Sequence, residues 1–255
     1  WRLQAQRLLV ERGANDVLQP LLGLLKDDSV DEVGLNVGAI HALHTLAALG
    51  YFNLTPQDKA SALVSSSLKS ALTHPSSGVR RNAIAVLPQS EAGLRVLLEH
   101  RSLFRDGNAQ VKLQAILTLT DMPASSEAGA LVAELSSTED DQVLTDALTA
   151  AAAKHGTSFL QQVTASKETP SDAVVRITRR IAEHSAREKP DATDLQGIIA
   201  NLSTAHSTLS TPILDGLADG FPTDYQVASN VSLDTAFVEA FQKGDSTLKG
   251  KLLRL

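Results

Sequence analysis

The sequence predicts an all-α protein, an α-solenoid (α-α superhelix) of about five helix pairs with an irregular helical C-terminal portion. One stretch occurs three times, as GVRRNAIAVL at 78–87, QVKLQAILTL at 110–119 and QVLTDALTAA at 142–151. The three copies contain valines 32 residues apart, at Val79, Val111 and Val143. Four positions after each valine there is an alanine. That spacing puts both residues on one helix face, and a period in the thirties is typical of helical arrays. The aromatic content of only 4% favours helices packed by small and aliphatic residues over a β-sandwich.

The first two helix pairs are predicted over 1–13 with 16–25, and 35–50 with 56–73. Gly13 and Gly50 end the first helix of each pair, because glycine takes a positive φ without strain. Thr55 as N-cap and Pro56 at the first helical position start the helix over 56–73. Both first helices continue the line of the repeated stretch, through Trp1, Ala5 and Leu9, and through Leu35, Ala39 and Leu43.

Three further pairs are predicted over 78–87 with 91–104, 109–121 with 126–136, and 141–154 with 157–165. Ser90 caps the helix that follows it, and proline or glycine recurs at the joints, where helices must stop. Successive first helices are offset by 34, 44, 32 and 32 residues, and the long helix at 56–73 absorbs the longest step. This regularity assigns residues 1–165 to the helical repeats.

Residues 166–255 are predicted to continue the solenoid with irregular capping helices, because the end units of an array are atypical. A helix after Ser171 places Val175 32 residues after Val143. Later helices are predicted over 192–202, 211–218, 233–243 and 246–254, the second of them starting at Thr211-Pro212. Because the chain begins with Trp1 and ends in KGKLLRL, we expect it to be a fragment or processed product of a longer protein.

The composition narrows the functions that this chain can perform. Its net charge of −6 argues against a nucleic-acid partner, although four arginines cluster in sequence, Arg176, Arg179, Arg180 and Arg187. We interpret them as a solvated helix face. The absence of cysteine excludes disulfides, thiolate metal sites, a cysteine nucleophile and covalent c-type haem attachment within the chain. No apolar run reaches about 18 residues, so we expect no direct membrane insertion.

Two of the copies resemble HEAT repeats, GVRRNAIAVL and QVKLQAILTL. Each has an aliphatic residue, a basic residue, an alanine and a leucine at helical spacing. QVLTDALTAA departs from that pattern, because Leu144 stands where the basic residue would be. The resemblance implies helix pairs stacked into a right-handed superhelix that serves as a scaffold or binding surface.

A narrower resemblance rests on WRLQAQRLLVERG, DEVGLNVGAIHALHTLAALG and GLADGFP. These stretches look like the HEAT region of large exported bacterial proteins of the membrane-bound dehydrogenase type. In that family the helical array follows a β-propeller and precedes a cytochrome-c-like haem domain. The resemblance implies an extracytoplasmic (periplasmic or cell-surface) location and a supporting role, and it brings no catalytic residue onto this chain.

Several polar groups invite a functional interpretation, and for each a structural role is favoured. His41 and His44 have metal-ligand spacing but lack a third ligand, so we expect helix packing. The serines at 65–67 have no nearby base or G-x-S-x-G turn. The acidic loop 139–141 is expected to supply charge at a helix N-terminus. Gly38 is expected to allow close helix approach.

We therefore predict no catalytic, cofactor-binding or metal-binding residue. The second helices of the pairs would line a concave face, with Arg95, His100, Glu134, Gln161 and Gln162 as exposed candidates. Three functions stay open: a non-enzymatic scaffold between neighbouring domains of an exported oxidoreductase, a stand-alone adaptor that binds a protein or peptide, and an enzyme built on HEAT repeats. The first is favoured, with protein domains as partners.

Overall fold

The computed structural model describes residues 1–13, 15–52, 59–228 and 230–253. Throughout these ranges the regular structure is helical and no β-strand forms, which confirms the all-α prediction. The chain divides into two compact units, Trp1–Pro123 and Ala124–Leu255. The sequence predicts regular helical repeats over 1–165 and irregular capping helices over 166–255. That division concerns the regularity of the repeat, and it stays a prediction.

The first unit contains seven α-helices among its described residues: α1 (Arg2–Arg12), α2 (Leu18–Leu25), α3 (Val37–Ala48), α4 (Lys59–Ala71), α5 (Ser77–Ala85), α6 (Glu91–Glu99) and α7 (Ala109–Asp121). Short 3₁₀-helices occupy Asn15–Val17 and Arg101–Arg105. Helices α1, α3, α5 and α7 pack side by side as a first row, and α2 and α4 pack together in a second row. The predicted helix start at Thr55 and Pro56 lies outside the described residues.

The second unit continues with α8 (Ser126–Ser136), α9 (Gln142–Lys154), α10 (Gly156–Ala165), α11 (Asp172–Arg187), α12 (Ala192–Ile199), α13 (Ser207–Gly220), α14 (Val231–Lys243) and α15 (Ser246–Leu252). Its first row is α9, α11, α13 and α15, and its second row is α8, α10, α12 and α14. In both units most helices pack on the helix two places further along the chain. That order is expected when helix pairs stack and bury their apolar stripes against their neighbours.

The repeated line is the helix face formed by the repeated valine and the residues four and eight positions after it. It is buried in the first two copies. Val79, Ala83, Val111, Ala115 and Leu119 each have 0% of their surface exposed. They lie at i, i+4 and i+8 on α5 and α7, the face that these helices turn toward each other and toward α3. The residues that recur in sequence are therefore the residues that pack.

The third copy departs from the predicted line. Val143 is 60% exposed, whereas Leu144 is 3% exposed, so the prediction that Val143 is a core position was wrong. Leu144 occupies the place of Arg80 and Lys112 in the earlier copies. Because leucine has no charge that must reach solvent, it is buried at the start of α9. Ala147 and Ala151, four and eight positions after Val143, stay buried at 5% and 0% exposure. The same exchange occurs at the start of α11, where Val174 is buried and Val175 only half-buried.

The predicted line also fails at the N-terminus. Helix α1 has no buried residue, Trp1 is fully exposed and Ala5 is exposed. Within the first unit, α1 is the end helix of its row and packs on α3 without a further row helix on its other side. An end helix buries little, as is usual for arrays.

Helix α13 begins at Ser207, four residues before the predicted start at Thr211. Leu209 and Ser210 are already buried, and the Ser210 hydroxyl donates to the Leu202 carbonyl at 2.9 Å. This burial outweighs the hydrogen bond that Pro212, inside the helix, cannot donate.

Two glycines bring α13 unusually close to α11. A Cβ added at Gly216 would lie 2.3 Å from the Arg179 carbonyl oxygen, and one at Gly220 2.2 Å from that of Glu183. Any larger residue would force the helices apart, which explains the spacing of the two glycines in GLADG.

Candidate functional site

The basic residue of the best repeat copy holds two neighbouring repeats together. The Arg80 guanidinium donates to both carboxylate oxygens of Asp106, at 2.8 and 2.9 Å. It also donates to the carbonyls of His74 and Pro75, at 2.7 and 3.0 Å. Burial alone would raise the pKa of Asp106, but hydrogen bonds from Arg80 and from the Asn108 amide outweigh it and hold that pKa below its ordinary value. This cluster joins the start of α5 to the loop before α7.

A buried histidine fixes the turn between α4 and α5. His74 is 2% exposed, and its Nδ1 accepts a hydrogen bond from the Ser76 amide at 2.9 Å. Its Nε2 lies 3.0 Å from the Asp27 carbonyl oxygen and must therefore carry the proton. The Ser76 hydroxyl donates to the Gly34 carbonyl at 2.8 Å. His74 and Ser76 thus tie this turn to the acidic connection between α2 and α3.

His41 and His44 point to different helices. His41 Nδ1 lies 2.8 Å from Gln6 Oε1 on α1, and His44 Nε2 lies 2.8 Å from Asn82 Oδ1 on α5. Burial, followed by the charge of Arg2, lowers the pKa of His41. These two histidines link three neighbouring first-row helices. Across the described residues, no three histidine or acidic side chains are grouped as metal ligands.

The remaining predicted polar groups have mostly structural positions. The Asp141 carboxylate caps α9 by accepting from the Leu144 amide at 3.0 Å, which is the expected role at a helix N-terminus. Ser67 is buried in α4, and Gly34 and Gly50 adopt positive φ angles. The close approach expected at Gly38 is absent, since an added Cβ would meet its nearest neighbouring atom at 3.5 Å, an ordinary contact.

The arginines of α11 do not form one continuous basic surface. Arg179 donates to Asp219 on α13 at 3.0 Å, and Arg187 is paired with Glu183 on its own helix. Arg176 and Arg180 are exposed on the same helix. Two of the four positive charges are therefore compensated locally, in agreement with a solvated face.

The candidate interaction surface is the second row of helices. In the second unit, a cleft of about 240 Å³ lies where the second-row helices α8 and α10 meet the first-row helices α11 and α13. Its floor is apolar and its rim is polar. The floor contains Ala133, Val163, Val174 and Leu209, and the rim contains Glu134, Gln162, Ser166 and Glu168. The structure thus brings together two of the predicted concave-face residues, Glu134 and Gln162.

A smaller cleft of about 230 Å³ lies between α4 and α6 in the first unit. Ser65 and Arg95 line it, together with the ion pair between Lys69 and Glu99 at 2.7 Å. Two other concave-face candidates have structural contacts. His100 Nδ1 bonds the Val96 carbonyl at 2.7 Å, and the Gln161 side chain packs over Gly197 of α12.

A larger cavity of about 660 Å³ lies near the C-terminal end of the second unit, where the sequence predicted no site. Phe221, Tyr225 and Phe237 form part of its wall. The chain has only nine aromatic residues, and three of them fall within 17 positions here. This concentration is the signal that could have indicated the cavity.

No protein-family model matches the chain, and no curated protein is significantly similar to it. Within the described ranges, no helix has both the length and the apolar character needed to cross a bilayer.

Proposed function

We propose that this chain is a non-enzymatic helical-repeat scaffold that binds a protein or peptide along its second row of helices. The cleft among α8, α10 and α11 carries this proposal, because it combines a preformed apolar floor with a polar rim. Such a surface can bury the side chain of a partner and hydrogen-bond its backbone at the edge.

The polar residues of the repeats bond neighbouring helices and loops, which supports a scaffold function more than an enzymatic one. Arg80, His41 and His44 bond side chains from neighbouring helices or loops. His74 bonds backbone groups of two separate connections. Groups that could act as acids, bases or ligands therefore hold the stack together. Catalysis needs such groups to converge on a substrate.

A peptide selection tests the interaction surface. A random peptide library displayed on phage would be selected on the wild-type protein, and the enriched peptides would be measured against Gln162→Arg. Gln162 is exposed at the rim, so the longer charged side chain should obstruct the cleft without unfolding α10. We expect binding to weaken about tenfold or more, because the obstructed cleft can no longer bury the partner's side chain.

The matched control is Gln110→Arg, which places the same side chain on exposed α7 in the first row. Peptides that bind wild type and the Gln110→Arg variant equally, but bind the Gln162→Arg variant weakly, would support the proposal. Equal binding to both variants, or a library without enrichment, would contradict it.

The resemblance of WRLQAQRLLVERG and the two further stretches motivates a narrower form of the proposal. In that form, the chain is an extracytoplasmic scaffold in a bacterial oxidoreductase, holding a propeller and a haem domain as partners. The sequence of the surrounding gene tests it: a signal peptide and propeller should precede this region, and a Cys-x-x-Cys-His motif should follow. Finding neither flank would leave the stand-alone adaptor. Turnover by this chain alone would instead favour an enzyme on a helical-repeat scaffold.

A further inference from the structure

The cavity near the C-terminal end lies among α12, α13, α14 and the segment that follows α13. Its volume of about 660 Å³ falls in the range of small-molecule sites. One side, called here the aliphatic side, is formed by the buried side chains of Leu195, Ile199 and Leu233. All of its described lining residues belong to the second unit, so the cavity lies within one unit.

The cavity also has an aromatic wall, which consists of Phe221, Tyr225 and Phe237. All three side chains are half-buried. The Phe221 and Tyr225 rings stack with centroids 5.7 Å apart and an angle of 24° between their planes. Aromatic rings gain more from packing on one another than the buried area alone gives. An aromatic ring inside the cavity can make the same kind of contact with this wall.

Tyr225 is held in place at both its backbone and its hydroxyl. Its amide donates to the Pro222 carbonyl at 3.0 Å, and its hydroxyl donates to the Pro190 carbonyl at 2.6 Å. Lys189, the residue before Pro190, has a φ of 57°, the only positive φ at a non-glycine residue in the part of the chain that the structure describes. These contacts fix the ring before a ligand arrives, which lowers the entropic cost of binding.

The charges around the cavity are already compensated or in contact with solvent. Among the described lining residues, Asp234 is the only one charged at neutral pH. Asp234 is exposed and has an interaction partner of its own. The Lys189 ammonium, of opposite charge, lies 5.9 Å from the Tyr225 ring centroid. An ion that entered the cavity would lose water without gaining a free counter-charge, so the cavity favours an uncharged ligand.

We propose that this cavity binds an uncharged aromatic molecule. Its ring system lies between the aliphatic side and the aromatic wall. A hydroxyl or amide group on the ligand can hydrogen-bond Thr223 or Gln226, which line the cavity and are exposed to solvent. This site is separate from the cleft that contains Gln162, so the two proposals can fail independently.

Three probes with the same ring system test the charge of the ligand. At neutral pH, 2-naphthalenemethanol is uncharged, 2-naphthylmethylamine is a cation and 2-naphthoate is an anion. We expect the alcohol to shift the methyl NMR signals of Leu195, Ile199 and Leu233. It should bind at least about tenfold more tightly than either ion, because burial of an unpaired charge opposes binding. Equal or tighter binding of an ion, no binding of the alcohol, or shifts confined to other residues would overturn the proposal.

A saturated probe tests the aromatic ring. Decahydro-2-naphthalenemethanol has the same carbon skeleton as the naphthalene alcohol but no flat rings. We expect it to bind about fivefold more weakly, because it loses the ring-on-ring contact with the aromatic wall. Equal or tighter binding of the saturated alcohol would contradict an aromatic ligand.

Two variants of α14 locate the ring contact. Phe237→Leu keeps most of the apolar volume and removes a ring of the aromatic wall, so it should weaken binding of the naphthalene alcohol about fivefold. Phe241→Leu makes the same change one helical turn later, outside the described lining residues, and should bind as wild type does. Equal losses in the two variants, or wild-type affinity in the Phe237→Leu variant, would contradict the site.

Ala218→Leu provides a second test if the Phe237→Leu variant fails to fold. Ala218 is a half-buried lining residue of α13, and leucine is also a good helix former. The larger side chain should occupy space that the ligand needs and weaken binding about tenfold or more. An unchanged affinity for the naphthalene alcohol in this variant would overturn the proposal.

Discussion

The two units build similar rows of helices with different contacts. In the first unit, Val79 and Val111 are buried on the repeated line, and Arg80 bonds Asp106 across neighbouring repeats. In the second unit, Leu144 is buried in place of Val143, and Gly216 and Gly220 bring α13 onto α11. One sequence pattern is therefore compatible with two ways of stacking helices. At the start of the repeated helix the two units also differ in sequence, since Arg80 and Lys112 follow the valine in the first unit and Leu144 follows it in the second.

The largest expected effect is at the centre of the first unit's repeated line. Ala115→Asp would place a charge at a position with 0% exposure on α7. We expect a loss of about 4 kcal/mol in the free energy of unfolding, because the carboxylate has no partner among packed helices. Urea unfolding followed by circular dichroism measures it. Leu117→Asp, on the 40% exposed side of the same helix, is the control and should change stability far less.

A second prediction concerns the close packing of the second unit. Gly220→Val should cost about 3 kcal/mol, because its side chain would overlap the Glu183 backbone and separate α13 from α11. The control is Gly250→Ala on α15, where an added Cβ meets nothing within 4 Å. If both variants melted at the wild-type temperature, the close approach of α11 and α13 would be wrong.

A smaller effect is expected at the ion pair of the first unit. Arg80→Met should cost about 2 kcal/mol, because Asp106 is only 10% exposed and would lose its partner. Lys69→Met breaks an exposed ion pair and should cost less than about 0.5 kcal/mol. Similar losses from the two variants would show that Arg80 has no special role in joining the repeats.

The same pair predicts a pH dependence. The pKa of Asp106 is lowered in the folded state, so this group contributes its full stabilisation above its unfolded pKa of about 3.9. That contribution is lost as the pH falls through the lower folded pKa. Asp106→Asn should therefore flatten the decline of stability in acid. An unchanged acid profile would contradict the role of this carboxylate.

Local signals predicted most of the helices. Ser90 and Ser171 cap α6 and α11 by accepting hydrogen bonds from amides within the first turn, as their residue types suggested. The start of α13 was misplaced because burial of Leu209 outweighs the Thr211-Pro212 signal. A local rule cannot weigh a contact that depends on residues elsewhere in the chain.

Long-range contacts escaped prediction for the same reason. The bond between Tyr225 and Pro190 joins residues 35 positions apart, and no short motif encodes it. The αL conformation of Lys189 is equally invisible in the sequence. By contrast, the departure at Leu144 was visible as a break in the basic position of the repeat. Its consequence, the burial of Leu144 and the exposure of Val143, depends on packing against other helices.

The most direct test of this account compares two neighbouring residues of α9. Val143→Asp and Leu144→Asp place the same charge one position apart, on a 60% exposed and a 3% exposed site. We predict that the Leu144 variant loses about 3 kcal/mol in the free energy of unfolding, whereas the Val143 variant stays within about 0.5 kcal/mol of wild type. A larger loss at Val143 would contradict the exchange of the buried residue at the start of α9 and restore one uniform repeat across the three copies.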